Sequence, residues 1–186
     1  PKLPSHLSPD RIIYLHGFAS SPKSKKAGVI VTALQEEGYD IVVPDQNAGN
    51  FSQLTISRSI DIVKRLLADR NVIIGSSLGG YIASLVAAKD DRIKGLVLMA
   101  PAFDFSESLK GRHSSEEIQI WQKDGFAMID HYGTAKPEKL SYNFFEDAKR
   151  HEPYPAVRVP TYILHGNHDE TVDVRRSARA KQMYEE

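Results

Sequence analysis

Cysteine is absent from the chain, which removes disulfides, thiolate catalysis and Cys-ligated zinc from consideration. The absence fits a reducing compartment. Neither sign of charge is in excess: Lys+Arg and Asp+Glu both number 24, so the formal net charge is zero. A nucleic-acid partner, whose phosphates demand a basic surplus, is therefore not expected. The one basic cluster, Lys23, Lys25 and Lys26, reads as the solvated start of a helix. No apolar run nears the roughly 18 residues that would suggest a transmembrane helix. The opening stretch "PKLPSHLSPD" lacks the apolar core of a signal peptide. A soluble, cytoplasmic protein without membrane insertion is the expectation.

What is present suits one globular domain. The 186 residues are 41% apolar and 26% charged, enough to build a sizeable core under a solvated surface. Short β-rich runs alternate with helical patterns. Arg11–Leu15, Asp40–Val43, Val72–Ile74, Gly95–Met99 and Thr161–Leu164 read as strands. Helices are predicted over Lys25–Glu37, around Ile56–Leu67, over Tyr81–Ala88 and over Val174–Tyr184, with Asp173 as the N-cap of the last. Strand-helix alternation calls for an α/β fold, with a mostly parallel sheet and helices on both faces. The runs "VII" and "GLVLM" are apolar throughout, as strands covered on each side should be. Parallel strands with right-handed crossovers bring their carboxyl ends to one edge, and the chemically informative turns all fall there.

Between Asp104 and Pro160 the alternation stops, and a gap of about 55 residues is too long for a plain loop. The predicted organisation is a single domain with its core in 10–104 and 156–186. An insertion of about 105–155 would have its own short elements and cap the carboxyl edge.

Three turns carry residues suited to acyl chemistry. Gly75-Ser76-Ser77-Leu78-Gly79 fits G-x-S-x-G between a strand and a helix, which makes Ser77 the candidate nucleophile. Neither G-x-x-x-x-G-K-[ST] nor G-x-G-x-x-G is present, so a phosphate-cradling loop is not the reading. Two N–H donors should face the developing oxyanion. Leu78, next after the nucleophile, and Phe18, in the loop after the first strand, are the candidates. His16 is expected to hydrogen-bond locally. The third turn, "HGNHDETVD", places Asp169 where an acid that orients an imidazole belongs, with Asp173 and Asp104 as alternatives. Phe103, Trp121 and Phe126 are candidates for an apolar substrate pocket, although aromatics in a cap equally form its own small core.

The sequence resembles the α/β-hydrolase superfamily, and within it the small YqiA-like predicted esterases. The carriers are the stretch "YLHGFASSPKSKKA" from Tyr14 to Ala27, the serine elbow, Met99-Ala100-Pro101 at a strand end, and the turn at 165–172. The resemblance implies an α/β-hydrolase fold and hydrolysis of a small-molecule carboxylic ester or thioester through an acyl-enzyme. Ser77 would be the nucleophile, Asp169 the acid, and Phe18 with Leu78 the oxyanion donors. No metal or organic cofactor is expected. Chain order in this fold places the histidine after the acid. The 17 residues after Asp169 contain none, and His6, His16, His113, His131, His151, His165 and His168 all precede it. A final strand and a loop histidine are therefore expected beyond Glu186. The competing expectations are a base supplied by a histidine of the insertion, and a non-catalytic hydrolase-fold protein binding a small acyl ligand or partner.

Overall fold

Five parallel strands form the central sheet in the computed structural model, which describes residues 8–185. They are β1 (Arg11–Leu15), β2 (Ile41–Val42), β3 (Asn71–Ser76), β4 (Ile93–Met99) and β7 (Thr161–Leu164). Their spatial order is β2-β1-β3-β4-β7. β1 pairs with β2 through Ile12↔Ile41 and with β3 through Leu15↔Gly75, while β3 pairs with β4 through Ser76↔Met99. Successive residues of β1 face opposite sides of the sheet, as a period of two dictates. Ile13 and Leu15 enter the larger core, with Ile73 and the helix that follows β3. Ile12 and Tyr14 enter a smaller one with Ile41 and Ala27. Both faces are thus apolar and both are covered, which explains the uninterrupted apolar runs.

The helices begin where short polar side chains can satisfy free amides. Ser24 caps α1 (Lys25–Glu36), and Thr55 caps α2 (Ile56–Leu66), which follows a single 3-10 turn at Phe51–Gln53. Asp173 accepts from the Arg175 amide at the start of α7 (Val174–Glu185), as its N-cap assignment requires. α3 (Leu78–Ala87) is buried from Leu78 to Val86, so it is apolar on every side. It starts three residues before the predicted Tyr81, because Gly79 and Gly80 are helical. Tertiary packing overrides the low helix propensity of glycine there. No helix among the described residues is long and apolar enough to cross a membrane.

The 105–155 stretch folds into α4 (Phe105–Gly111), α5 (Ser115–Asp124), an antiparallel hairpin of β5 (Phe126–His131) and β6 (Lys136–Ser141), and α6 (Asn143–Ala148). A capping box between Ser114 and Glu117 starts α5, and Gly125 at φ 77° stops it. The hairpin tip reaches the loop after β1, where the Tyr132 amide donates to the Ala19 carbonyl at 2.8 Å.

Buried Asp147 of α6 ties this stretch to the core. It accepts from the Ser57 amide (2.9 Å) and hydroxyl (2.5 Å) in the first turn of α2, and lies 3.4 Å from His151 Nε2. Burial pushes its carboxyl up, but the hydrogen bonds from His151 and Ser57 outweigh that and bring it to about 2, against 3.8 when free. A depressed carboxyl stabilises the fold above its unfolded pKa, and the stabilisation is lost as pH falls through the folded value. Asp147 is therefore expected to contribute about 2 kcal/mol at neutral pH, lost between pH 4 and 2. Urea titrations at pH 7 and pH 2.5 check this. Asp147→Asn should lower stability at pH 7 and lose less on acidification than the parent; equal acid losses would refute it.

Candidate active site

β1 and β3 lie side by side, but the chain leaves β1 towards β2 on one side and β3 towards β4 on the other. The turns at their carboxyl ends therefore diverge and open a crevice, the customary ligand position in open α/β sheets. Gly17-Phe18 stands on one side of it and Ser77 on the other. A Cβ built on Gly17 would lie 3.5 Å from the Ser77 Cβ, so the two turns touch.

Ser77 sits at the junction of β3 and α3 with φ 53° and ψ −118°, a conformation that costs a non-glycine residue energy. The surrounding backbone enforces it. The Ser77 amide donates to the Met99 carbonyl at 2.9 Å, and the Ser77 carbonyl accepts from the amides of Gly80, Tyr81 and Ala102. The flanking glycines are required by contact. A Cβ on Gly75 would come within 2.5 Å of the Gly79 carbonyl oxygen, and one on Gly79 within 2.3 Å of the Leu15 carbonyl oxygen. The half-buried Ser77 hydroxyl hydrogen-bonds to no protein group among the described residues.

Ser76 is a different kind of residue. It is buried, and its hydroxyl accepts from the Lys26 ammonium at 3.0 Å. Lys26 belongs to the first turn of α1 and also lies close enough to Asp169 to favour its ionised form. The only hint of this lysine in the sequence is its place within the Tyr14–Ala27 motif.

The loop carrying Phe18 is pinned by His16. His16 Nδ1 donates to the Gly17 carbonyl (3.0 Å), and its Nε2 accepts from the Gln46 amide (3.3 Å). The Gln46 side chain donates back to the His16 carbonyl at 2.6 Å. Burial holds this imidazole below its ordinary pKa, partly offset by the Gly17 carbonyl and Asp45. Both nitrogens are occupied, so the local role expected of His16 is the observed one. The Phe18 and Leu78 amides donate to no acceptor among the described residues.

Asp169 follows β7 at the same edge of the sheet. Its Oδ1 accepts from the amides of Thr171 (2.8 Å) and Val172 (2.9 Å). The Val172 hydrogen bond is the main cause that holds its carboxyl below the usual range, against partial burial and with help from Thr171, His165 and Lys26. Oδ2 lies 3.7 Å from His165 Nε2 and accepts no hydrogen bond from the described residues. The alternative acids are committed elsewhere: Asp104 pairs with Arg176 at 3.0 Å, and Asp173 caps α7 and pairs with Arg175.

No described histidine hydrogen-bonds to Ser77. The His165 ring donates through Nε2 to the Val172 carbonyl (2.8 Å) and accepts at Nδ1 from the Ser177 hydroxyl (2.7 Å). His113 packs on Trp121, His131 on Phe51, and His151 meets Asp147 and Ser57, while His168 is exposed. His6 lies outside the described residues.

The aromatic pocket expected from Phe103, Trp121 and Phe126 is not assembled. Phe103 is fully buried and stacks on Tyr154. Trp121 is buried in the core of the insertion, with Nε1 donating to the Leu140 carbonyl, and Phe126 lies under the Lys139 ammonium. The aromatic rings that do adjoin the Phe18 loop are Phe51, Phe105 and Phe144, with centroids 5.3–5.9 Å from that of Phe18.

A family model described as an uncharacterised protein family, UPF0227, matches residues 11–186. The chain belongs to UPF0227. Solved structures show that this UPF0227 chain has an α/β-hydrolase fold. The alpha/beta hydrolase domain-containing protein 10 from mouse is 22% identical with a TM-score of 0.76, over 93% of this chain and 75% of its own. A putative hydrolase from Agrobacterium vitis is 22% identical with a TM-score of 0.79, over 94% and 75%. A monoacylglycerol lipase from Paleococcus ferrophilus is 16% identical with a TM-score of 0.72, over 95% and 81%. At these identities the likeness speaks for the fold, and the chemistry must be argued from the site.

Proposed function

We propose that this UPF0227 chain is a serine hydrolase of small carboxylic esters or thioesters, with Ser77 as nucleophile. The observation that carries the reading is the enforced conformation of Ser77. Its backbone is held at φ 53° by four hydrogen bonds, between glycines that admit no side chain, while its hydroxyl is left unpaired. A protein gains nothing in stability from such an arrangement, and strain of this kind concentrates at functional sites. Structural neighbours that include a monoacylglycerol lipase and an esterase domain support the same class.

In this reading the Ser77 Oγ attacks the acyl carbonyl and an imidazole takes its proton. The oxyanion rests on the amides of Phe18 and Leu78, a contribution of about 3 kcal/mol per donor in comparable sites. The imidazole then protonates the leaving alcohol or thiol. Water, deprotonated by the same ring, attacks the acyl-enzyme and releases the acid. The ionised Asp169 carboxylate, fixed through Oδ1, offers Oδ2 to the ring's other N–H. His16, His151 and His165 are held by hydrogen bonds elsewhere and no described histidine bonds to Ser77, so this reading takes its base from a histidine outside the described residues.

A fluorophosphonate probe tests this directly. The expected result is one adduct, mapped by peptide mass to Ser77, with added imidazole accelerating labelling of the 186-residue chain. A folded chain that stays unlabelled with and without imidazole would instead favour a binding protein that uses the crevice without turnover.

A further inference from the structure

We propose that His16 and Gln46 form a positioning relay for the oxyanion donor, setting the direction and the strength of the Phe18 amide. This rests on the serine-hydrolase reading above and deepens it. His16 acts through a peptide group rather than on the reacting atoms, so it is a positioning residue.

The carbonyl of Gly17 and the N–H of Phe18 belong to one planar, trans peptide group. They point in opposite directions, and whatever fixes the carbonyl fixes the N–H. The Gln46 backbone amide donates to His16 Nε2 at 3.3 Å, so Nε2 is the unprotonated nitrogen of the neutral ring. The ring proton then sits on Nδ1, which donates it to the Gly17 carbonyl at 3.0 Å. Gln46 holds His16 a second time, because its side-chain amide donates to the His16 carbonyl at 2.6 Å. Burial lowers the pKa of His16 against the Gly17 carbonyl and Asp45, with help from His131. The ring therefore stays neutral, and Nε2 remains an acceptor.

Gln46 follows β2 and Ser77 follows β3, on opposite sides of β1. A Gly17 carbonyl drawn to the His16–Gln46 side leaves the Phe18 N–H for the Ser77 side. A carbonyl that accepts a hydrogen bond also polarises its peptide, which makes the N–H a stronger donor. The far flank of Phe18 is fixed as well. Ala19 is held at φ 52°, and its carbonyl accepts from the Tyr132 amide at 2.8 Å. Turning the Phe18 N–H away would break the Nδ1 hydrogen bond.

Two substitutions split the hydrogen bonds of the ring. His16→Asn keeps a nitrogen donor bonded to Cγ, where Nδ1 is, and loses the acceptor for Gln46. His16→Gln offers the Gln46 amide an acceptor farther out, where Nε2 is, and loses the donor to Gly17. Both are labelled to saturation with a fluorophosphonate in the presence of imidazole. The maximal labelling rate of His16→Gln should fall about tenfold. Half-saturation should not change, because negative charge reaches the oxyanion site only as Ser77 adds. His16→Asn should stay within about threefold of the parent, even where urea unfolding shows it to be the less stable variant. A parental maximal rate in folded His16→Gln overturns the relay, and so do losses that follow stability across the two variants. The ¹⁵N shifts of the His16 ring in the parent give a readout that needs no variant to fold. A protonated Nδ1 is expected, and a protonated Nε2 overturns the relay. A folded parent that stays unlabelled sinks the serine-hydrolase reading instead, and the ring shifts then decide the relay alone.

Discussion

Ser77→Ala is expected to lower ester turnover by at least about 1,000-fold, while Ser76→Ala stays within about tenfold of the parent. The two serines are neighbours in one short turn, so composition and burial alone would not separate them. The backbone does. Ser76 ends β3, and its hydroxyl serves the Lys26 ammonium. Ser77 stands at the mouth of the crevice against the Gly17-Phe18 turn, with no hydrogen-bond partner for its hydroxyl among the described residues. Comparable losses in the two variants would overturn the assignment.

Ser77→Gly separates strain from chemistry. Holding a serine at φ 53° and ψ −118° costs between 1 and 3 kcal/mol by the usual scale of such outliers. Glycine relieves that cost but orders a freer unfolded chain, which takes back about 0.5–1 kcal/mol. The inactive glycine variant should therefore be more stable than the parent by about 1 kcal/mol in urea unfolding. A glycine variant no more stable than the parent would show that the turn stores no strain.

Most of the sheet and this elbow were legible in the sequence because both depend on local signals. Runs such as "RIIYL" and "GLVLM" announce strands buried on both faces, and G-x-S-x-G between a strand and a helix has a narrow steric meaning. The Asp173 cap follows from the same local rules. The hairpin of β5 and β6 was not legible. Its strands include Asp130, Lys136, Pro137, Glu138 and Lys139, and it pairs outside the central sheet, so neither an apolar run nor clean alternation marks it. The aromatics failed for another reason. Composition shows that Phe103 and Trp121 must be covered by something, but only long-range packing decides whether by substrate or by Tyr154 and Leu140. The Lys26–Ser76 and His16–Gln46 contacts likewise join residues distant in sequence, and no spacing rule reaches them. Asp169 lies between these cases. Its position after a late strand was readable, whereas its fixation by the Thr171 and Val172 amides was not.

Gly79→Ala and Gly28→Ala should move stability in opposite directions. Both glycines lie inside helices, where alanine is ordinarily favoured by about 1 kcal/mol. Gly28 is exposed in α1, and a Cβ there would meet nothing within 4 Å. Gly28→Ala should therefore raise stability by about 1 kcal/mol. At Gly79 the same methyl would press against the Leu15 carbonyl at 2.3 Å and the His16 carbonyl at 2.6 Å. Neither oxygen can yield cheaply: Leu15 is paired with β3 in the centre of the sheet, and the Gln46 side chain binds the His16 carbonyl. Relief requires α3 to move away from β1, which opens the larger core and displaces Ser77 from Phe18. A loss of about 3 kcal/mol or more is expected. Where the variant still folds, fluorophosphonate labelling should fall more steeply than stability does, because the elbow shifts before the fold is lost. Urea unfolding and labelling rates on the same preparations decide it. A Gly79→Ala variant as stable as the parent and labelled at the parental rate would mean that α3 does not hold Ser77 against the Phe18 loop.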